Sequence, residues 1–286
     1  MGDPKLQTSI EYLMTYLWAL IIVVVVLLII FWIGILNSTN STPTAKPGAC
    51  QVIKSAYGGV ALSGECSNFP PEFVAQFNGV ASYVNAGAGD NSGLDIVNSL
   101  TIGLWVNAGQ NTAQEYLYSK ATGSNTGKYF MCGGTPTSTT VVFSCEIESG
   151  GGASEAVAAT STLNLGQWYY VAYTYDGTYG RTYTNGVLTS LSASYVRSAP
   201  YPSDTGVPLY FGQRSSGGYF NGNLSNVQIY STALSANSIT FLYAEGMGGD
   251  PIPSQYLIGW WPLNGNANDY SGNGNNGQAY YVTYPP

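Results

Sequence analysis

The feature that most constrains this chain is a stretch without any ionised residue, running from Tyr12 to Leu36. At a rise of about 1.5 Å per residue, a helix over it outlasts the roughly 30 Å hydrocarbon core of a bilayer. A helix that is apolar all round must be covered by lipid or by other helices. One acid, Glu11, stands at its start, and Lys5 lies just before it. Lys5 gives a weak positive-inside signal, which leaves residues 1–6 in the cytoplasm and everything after Leu36 outside. An ordinary secretory signal has a shorter apolar core, and Gly34-Ile35-Leu36-Asn37 offers no small-residue cleavage site.

The order Lys5-Leu6-Gln7-Thr8-Ser9-Ile10-Glu11 resembles the class III signal peptide of archaeal type IV pilins, with Gln7, Ser9 and Glu11 on its Q-x-S-x-E pattern. The resemblance implies a leader of residues 1–6, cut between Leu6 and Gln7 on the cytoplasmic side. It implies that the helix of residues 7–36 stays on the mature protein, sits in the membrane before assembly and then packs with copies of itself in a filament. Leu6 departs from the family, which usually has Gly there. A carboxylate beside a helix-bundle core is costly unless it finds a positive partner. By the same resemblance, Glu11 serves assembly by meeting the free N-terminal amine of a neighbouring subunit. Without cleavage, Glu11 would lie among the headgroups of a single-pass anchor.

Beyond the helix about 250 residues remain, enough for one large all-β domain. Charged residues make up only 8% of the chain and histidine is absent, with a net charge of -7. Clustered Lys and Arg are missing, which excludes nucleic acid as a partner. Aromatic and β-branched residues are plentiful and regularly spaced, which argues against disorder. Four cysteines follow the apolar stretch, and an even count on the outer side of a membrane reads as disulfides. Proximity pairs Cys50 with Cys66 and Cys132 with Cys145. Zinc would want C-x-x-C pairs or histidines, and neither is present.

Residues 37–48 form a polar, proline-punctuated linker carrying acceptor sequons for N-glycosylation at Asn37 and Asn40, and a third sequon lies at Asn223. From residue 49 to 286 the pattern is of short strands punctuated by Gly, Asn and Asp. The strands expected are Phe73 to Asn78, Ala81 to Ala86, Ser99 to Asn107, Glu115 to Ala121, Lys128 to Cys132, Thr139 to Ile147 and Gln167 to Asp176. Four more are expected at Arg181 to Thr184, Val187 to Leu191, Pro208 to Gly212 and Leu224 to Tyr230. Asn185-Gly186 marks a tight hairpin, since both positions tolerate positive φ. One short helix is expected over Ser235 to Glu245, capped by Ser235. So many strands and so little helix predict an all-β sandwich.

Gly166-Gln-Trp168-Tyr-Tyr-Val-Ala-Tyr-Thr-Tyr-Asp176-Gly177, followed by Arg181 to Gly186, is similar to the laminin-G-like, concanavalin A-like jelly roll. Phe77-Asn-Gly79 and Phe220-Asn-Gly222 match that family's first and last F-x-G repeats, so the resemblance covers residues 70–246. The stretch from Leu257 to Gly277 resembles the segment that opens such a domain, yet here it closes the chain. Residues 257–263 are therefore expected as a permuted strand within their own sandwich, the alternative being a strand lent to a neighbour. The family's usual ion is calcium, bound by hard oxygen ligands. Asp269 and Asn273 are the candidate ligands.

Glycoside hydrolysis needs paired carboxylates at a set separation. Only Glu146-Ile147-Glu148 places two acids on one side of a strand, and Gly150 stands where the family's third acid would be, so no catalytic residue and no hydrolase is expected. Sugar binding uses exposed aromatic rings beside amides and hydroxyls, and Tyr179, Tyr195 and Tyr201 fall in expected turns. These features together predict a structural and adhesive surface protein, a pilin-like subunit displaying a lectin-type sandwich to a glycan, a surface or another cell. A singly anchored lectin is the alternative.

Overall fold

A computed structural model describes residues 14, 16–28, 43–55, 59–66, 68–87, 93–96, 98–121, 128–147, 156–196, 206–215 and 217–286. The chain divides into two units, Met1–Pro43 and Thr44–Pro286. In the first, residues 16–28 form a helix, α1, whose side chains are all exposed. Among the described residues no helix is long and apolar enough to cross a membrane. The expected 7–36 helix is described only at residues 14 and 16–28, and Leu6, Gln7, Glu11, Asn37 and Asn40 lie outside the described residues.

The second unit is a sandwich of two antiparallel sheets. The first sheet runs β14 (Val187–Leu191), β13 (Gly180–Thr184), β12 (Trp168–Tyr175), β5 (Leu100–Ala108), β16 (Asn221–Tyr230) and β17 (Leu257–Trp261), with β3 (Ala75–Asn78) also paired to β16. The second runs β10 (Ala158–Ala159), β9 (Phe143–Ile147), β7 (Lys128–Gly134), β6 (Glu115–Ala121), β15 (Leu209–Phe211), β4 (Tyr83–Asn85) and β18 (Gln278–Tyr280). Two small ladders join β1 (Cys50–Lys54) to β2 (Val60–Gly64) and β8 (Thr140–Val141) to β11 (Leu163–Asn164).

Alternation explains the layers. Leu100, Ile102, Leu104 and Val106 point between the sheets, where they meet Phe77, Phe130, Phe211, Phe220 and Trp261 in the main core. Gly103 and Trp105 fall on the opposite face of β5. There a second apolar cluster forms, from Tyr170, Tyr183, Tyr230 and Trp260 with Ile239 and Leu242 of α2 (Ala236–Glu245) and Cys50 and Val52 of β1. Ser235 caps α2 by accepting from the Ser238 N–H, and Tyr243 stacks on Trp105 at 5.7 Å. The first sheet is thus covered on both faces, which is why its central strands read as nearly continuous apolar runs.

Most expected strands are present with ends moved by a residue or two. The expected strand Thr139 to Ile147 is two, β8 and β9, because its halves pair in different ladders and Val142 between them is exposed. The strand expected from Leu224 begins instead at Asn221, because Asn221–Leu224 pair with β3 and, from Gly222 on, with β5 as well. The β1–β2 hairpin was not anticipated; its alternation rests on only Cys50 and Val52 as buried positions. The compact unit also takes in residues 44–48 of the expected linker, since Ala45 bridges Pro71 and its carbonyl accepts from Asn264 Nδ2.

The tail is a strand of its own chain. Val227 faces Trp261, Gln228 faces Trp260 and Ile229 faces Gly259 across the β16–β17 ladder. The expected strand 257–263 stops at Trp261, because Pro262 has no N–H to donate and Leu263 sits at φ 56°. Trp261 is fully buried, meets Phe211 of the facing sheet edge-on at 5.0 Å and donates its ring N–H to Asn275 O at 2.8 Å. Gly259 makes room for it, since a Cβ there would lie 2.0 Å from the Trp261 ring. The tail then crosses to the second sheet as β18, and Thr283 returns to bridge Gln76 of β3.

Replacing Trp261 with Ala removes a ring that touches both sheets, and is expected to cost about 3–5 kcal/mol. Urea unfolding of the two proteins reads the difference. A midpoint unchanged by Trp261→Ala would remove the tail from the fold's essential parts.

Candidate functional site

The second sheet gathers tyrosines on its outward side. Val84 is buried between the sheets, so Tyr83 and Asn85 on either side of it face outward. Leu209 and Phe211 are buried likewise, which turns Tyr210 out beside Asn85. On β18, Tyr280 stands opposite Tyr83 and Gln278 opposite Asn85. The rings of Tyr83 and Tyr280 stack at 4.6 Å and 17°, and Tyr210 meets Tyr83 edge-on at 5.7 Å. The Tyr280 hydroxyl donates to Gln278 Oε1 at 2.8 Å. Burial first, then the neighbouring Tyr280, Tyr210, Tyr219 and Tyr281, raise the Tyr83 hydroxyl above its ordinary range, so it stays protonated. Tyr281 is itself 77% exposed. The result is a set of ring faces and edges bordered by two amides, a surface that offers C–H stacking and hydrogen bonds together.

The aromatic residues singled out in the sequence do not form such a surface. Tyr195 is buried, and its carbonyl accepts from the Tyr175 hydroxyl at 2.8 Å. Tyr179 carries the Arg181 guanidinium over its ring at 5.7 Å, and Arg181 in turn binds Asp176 at 2.6 Å. Tyr201 lies outside the described residues. The cluster that does form was missed because β4, β15 and β18 are short and stand far apart in the chain. Its one sequence signal is the alternation in Tyr83-Val-Asn85, Leu209-Tyr-Phe211 and Gln278-Ala-Tyr280.

Asp269 and Asn273 do lie in one loop, but their oxygens already accept hydrogen bonds. Asp269 Oδ1 accepts from the N–H groups of Trp260 at 3.0 Å and Ser271 at 2.8 Å, and Oδ2 accepts from Asn275 N–H at 2.8 Å. Asn273 Oδ1 accepts from Lys54 Nζ at 3.0 Å. A calcium ion would have to displace these donors and an ammonium, so the residues do not fit it. Asn223 is placed inside β16, paired to β3 on one side and β5 on the other, and Ser225 of its sequon is fully buried. That position does not suit a glycosylation acceptor, which needs an exposed loop. Glu146 lies on β9, while Glu148 and Gly150 fall outside the described residues.

Cys50 is bonded to Cys66 and Cys132 to Cys145, the second pair standing directly opposite on β7 and β9. Short loops of this kind contribute about 3 kcal/mol each. Asp250 comes within reach of the Cys50–Cys66 sulfurs, but sulfurs joined in a disulfide are not thiolates and do not bind a metal. Asp250 is pushed up to about 6, by burial first and then by the charge of Glu245. An acid with raised affinity for its proton beside a second carboxylate resembles a catalytic pair. The cavity beside Asp250, lined also by Cys50, Met247 and Trp260, is about 30 Å³, room for water and not for a sugar ring.

One further acid is fully buried. Glu115 opens β6, and its Oε2 accepts from Asn111 Nδ2 and Asn221 N–H, each at 3.1 Å, tying the β5–β6 turn to the start of β16. Burial pushes its carboxyl up to about 7, against the two N–H donors that draw it down.

Residues 78–240 match the concanavalin A-like lectin/glucanases superfamily. Among solved structures the chain is similar to a heptameric SAP-like pentraxin from Limulus polyphemus, at 17% identity and a TM-score of 0.55, over 75% of this chain and 95% of that one. It is also similar to a candidate carbohydrate-binding protein from Bacteroides ovatus, at 18% identity and a TM-score of 0.53, over 84% of this chain and 70% of that one. At such identities these likenesses speak for the fold alone. No curated protein matches the sequence.

The raised acids set a direction for pH. Glu115 binds its proton more tightly folded, near 7, than unfolded, near 4.5, so its contribution is fully present below 4.5 and is lost as pH rises through 7. Asp250 acts in the same sense up to about 6. Glu115→Gln keeps the shape without the charge, and is expected to recover about 3 kcal/mol at pH 8 while changing little at pH 4. Urea midpoints of both proteins at the two pH values check this. An equal shift at both would deny Glu115 its titration.

Proposed function

Because the chain belongs to the concanavalin A-like lectin/glucanases superfamily, we propose that its sandwich is a carbohydrate-contact module held at a cell surface by a pilin-like helix. The observation that carries this reading is the face made by Tyr83, Tyr210 and Tyr280, with Asn85 and Gln278 at its border. A pyranose lays its C–H face on such rings while its hydroxyls meet the amides. One structure of the same fold is named for carbohydrate binding, which agrees with it. The role is contact and not cleavage: Asp250, the acid whose proton is held more tightly, borders a cavity that admits only water.

The helix supplies assembly. In α1 the large apolar residues from Leu17 to Leu28 are all exposed, a surface that water does not tolerate over such a length. With the Gln7, Ser9 and Glu11 pattern before it, this supports a subunit that sits in the membrane, loses residues 1–6 and packs with its own copies through Glu11. Leu6, where the pilin pattern has Gly, favours a second reading in which the uncleaved helix anchors single molecules. Both readings put the sandwich outside the cell.

Glycan-array binding of the sandwich tests the first part. Tyr83→Ala and Tyr280→Ala are each expected to weaken the binding found by about tenfold, roughly 1.4 kcal/mol. Binding equal to that of the parent protein would move the contact surface elsewhere. N-terminal mass spectrometry of protein from the native membrane is expected to find Gln7 first. An intact Met1 would leave only the anchor.

A further inference from the structure

The free edge of β17 is closed by a loop, mostly through its side chains, instead of a strand. Tyr270 N–H donates to Trp260 O at 2.8 Å, and Asp269 Oδ1 accepts from Trp260 N–H. Ile258 O accepts from Ser271 Oγ at 3.2 Å, Asn273 Nδ2 at 2.7 Å and Asn275 Nδ2 at 2.9 Å. Residues 269–275 therefore copy the hydrogen bonds of a neighbouring strand, and an edge so treated does not recruit another chain.

A cation lies at the centre of this arrangement. Lys54, at the end of β1, donates from Nζ to Leu257 O and to Asn273 Oδ1, with the Asp269 carboxylate acting on it through space. The same hairpin is fixed one turn of the pleat earlier, where Val52 N–H donates to Tyr270 O at 2.8 Å. A backbone carbonyl and an amide oxygen meet the ammonium directly and a carboxylate acts on it from farther off, the oxygen chemistry that hard cations use.

We infer that the Lys54 ammonium takes the place of a bound metal ion in this loop, so that the sandwich closes its carboxy-terminal edge without calcium and pins its first hairpin to its last long strand. Burial opposes the charge and the Asp269 carboxylate supports it, a balance seen in the lowered affinity of Lys54 for its proton. The charge is worth its burial because one ammonium meets oxygens from segments more than 200 residues away in sequence.

The test uses the full-length chain in detergent. Thermal melting of the parent protein is expected to be the same in excess EDTA and in millimolar calcium chloride. A rise of more than about 4 °C with calcium would overturn the inference. Lys54→Met keeps the aliphatic stem and removes the charge. It is expected to melt at least about 4 °C lower and to speed amide exchange of Leu257–Trp261 and of Cys50–Val52 together. Lys54→Arg is expected to retain most of the parent's protection. Parent-like melting and exchange in Lys54→Met would overturn the inference. Should Lys54→Met fail to fold, the calcium and EDTA comparison of the parent protein and the exchange of Lys54→Arg decide it.

Discussion

Everything in the sandwich depends on β16 having a partner along both of its edges. β5 lies on one side throughout, but the other side is shared: β3 takes Asn221–Leu224 and β17 takes Val227–Tyr230. The change of partner falls at Asn226, which adopts φ 52° inside a register shift. Asparagine tolerates this left-handed backbone better than other residues with a Cβ. Its side chain then holds the junction, accepting from Trp260 Nε1 at 2.8 Å and Gln228 Nε2 at 3.1 Å and donating to Gly249 O at 2.8 Å. The Tyr230 hydroxyl extends the chain of bonds, donating to Gln228 Oε1 at 2.9 Å and accepting from Ile252 N–H at 3.0 Å. All of these side chains are buried, and each unpaired member would cost about 1–3 kcal/mol. A polar network of this kind fixes where β17 lies along β16, and with it the position of Trp261.

The same tail builds the proposed contact face. β18 follows β17 after the Asn-rich loop and places Tyr280 against Tyr83. Core, edge closure and tyrosine face thus belong to one segment of some thirty residues, and a change in the register of β17 would be felt at the surface. The permuted order of the strands makes this coupling tighter than separate loops would.

The legible part of the fold was what short-range pattern encodes. The period of Leu100, Ile102, Leu104 and Val106, the Asn185-Gly186 turn and the Ser235 cap each act within a few residues, and the structure follows them. The Trp260-Trp261 pair was legible as a strand because its motif was displaced from its usual place and had to pair somewhere. The tyrosine face was not legible, since three strands of three residues carry no period of their own and meet only through the sheet. The Asp269 loop was misread for a physical reason. A carboxylate and an amide in a glycine-rich turn look alike whether they await a cation from solvent or one from Lys54, and that lysine comes from the other end of the domain.

The Cys50–Cys66 bond has a mechanical consequence. Any load entering the sandwich from its amino-terminal side arrives at Thr44, where the compact unit begins. It meets the Ala45–Pro71 bridge and then the covalent link across a sequence separation of 16 residues. Tension therefore passes from Cys50 to Cys66 through sulfur, and the β1–β2 hairpin carries none of it. Roughly 50 Å of chain is withheld from extension in this way. The Lys54 and Val52 attachments to the closing edge lie within that sheltered loop. A tug on the stalk reaches the strands of the sheet while the clasp on the far edge stays slack.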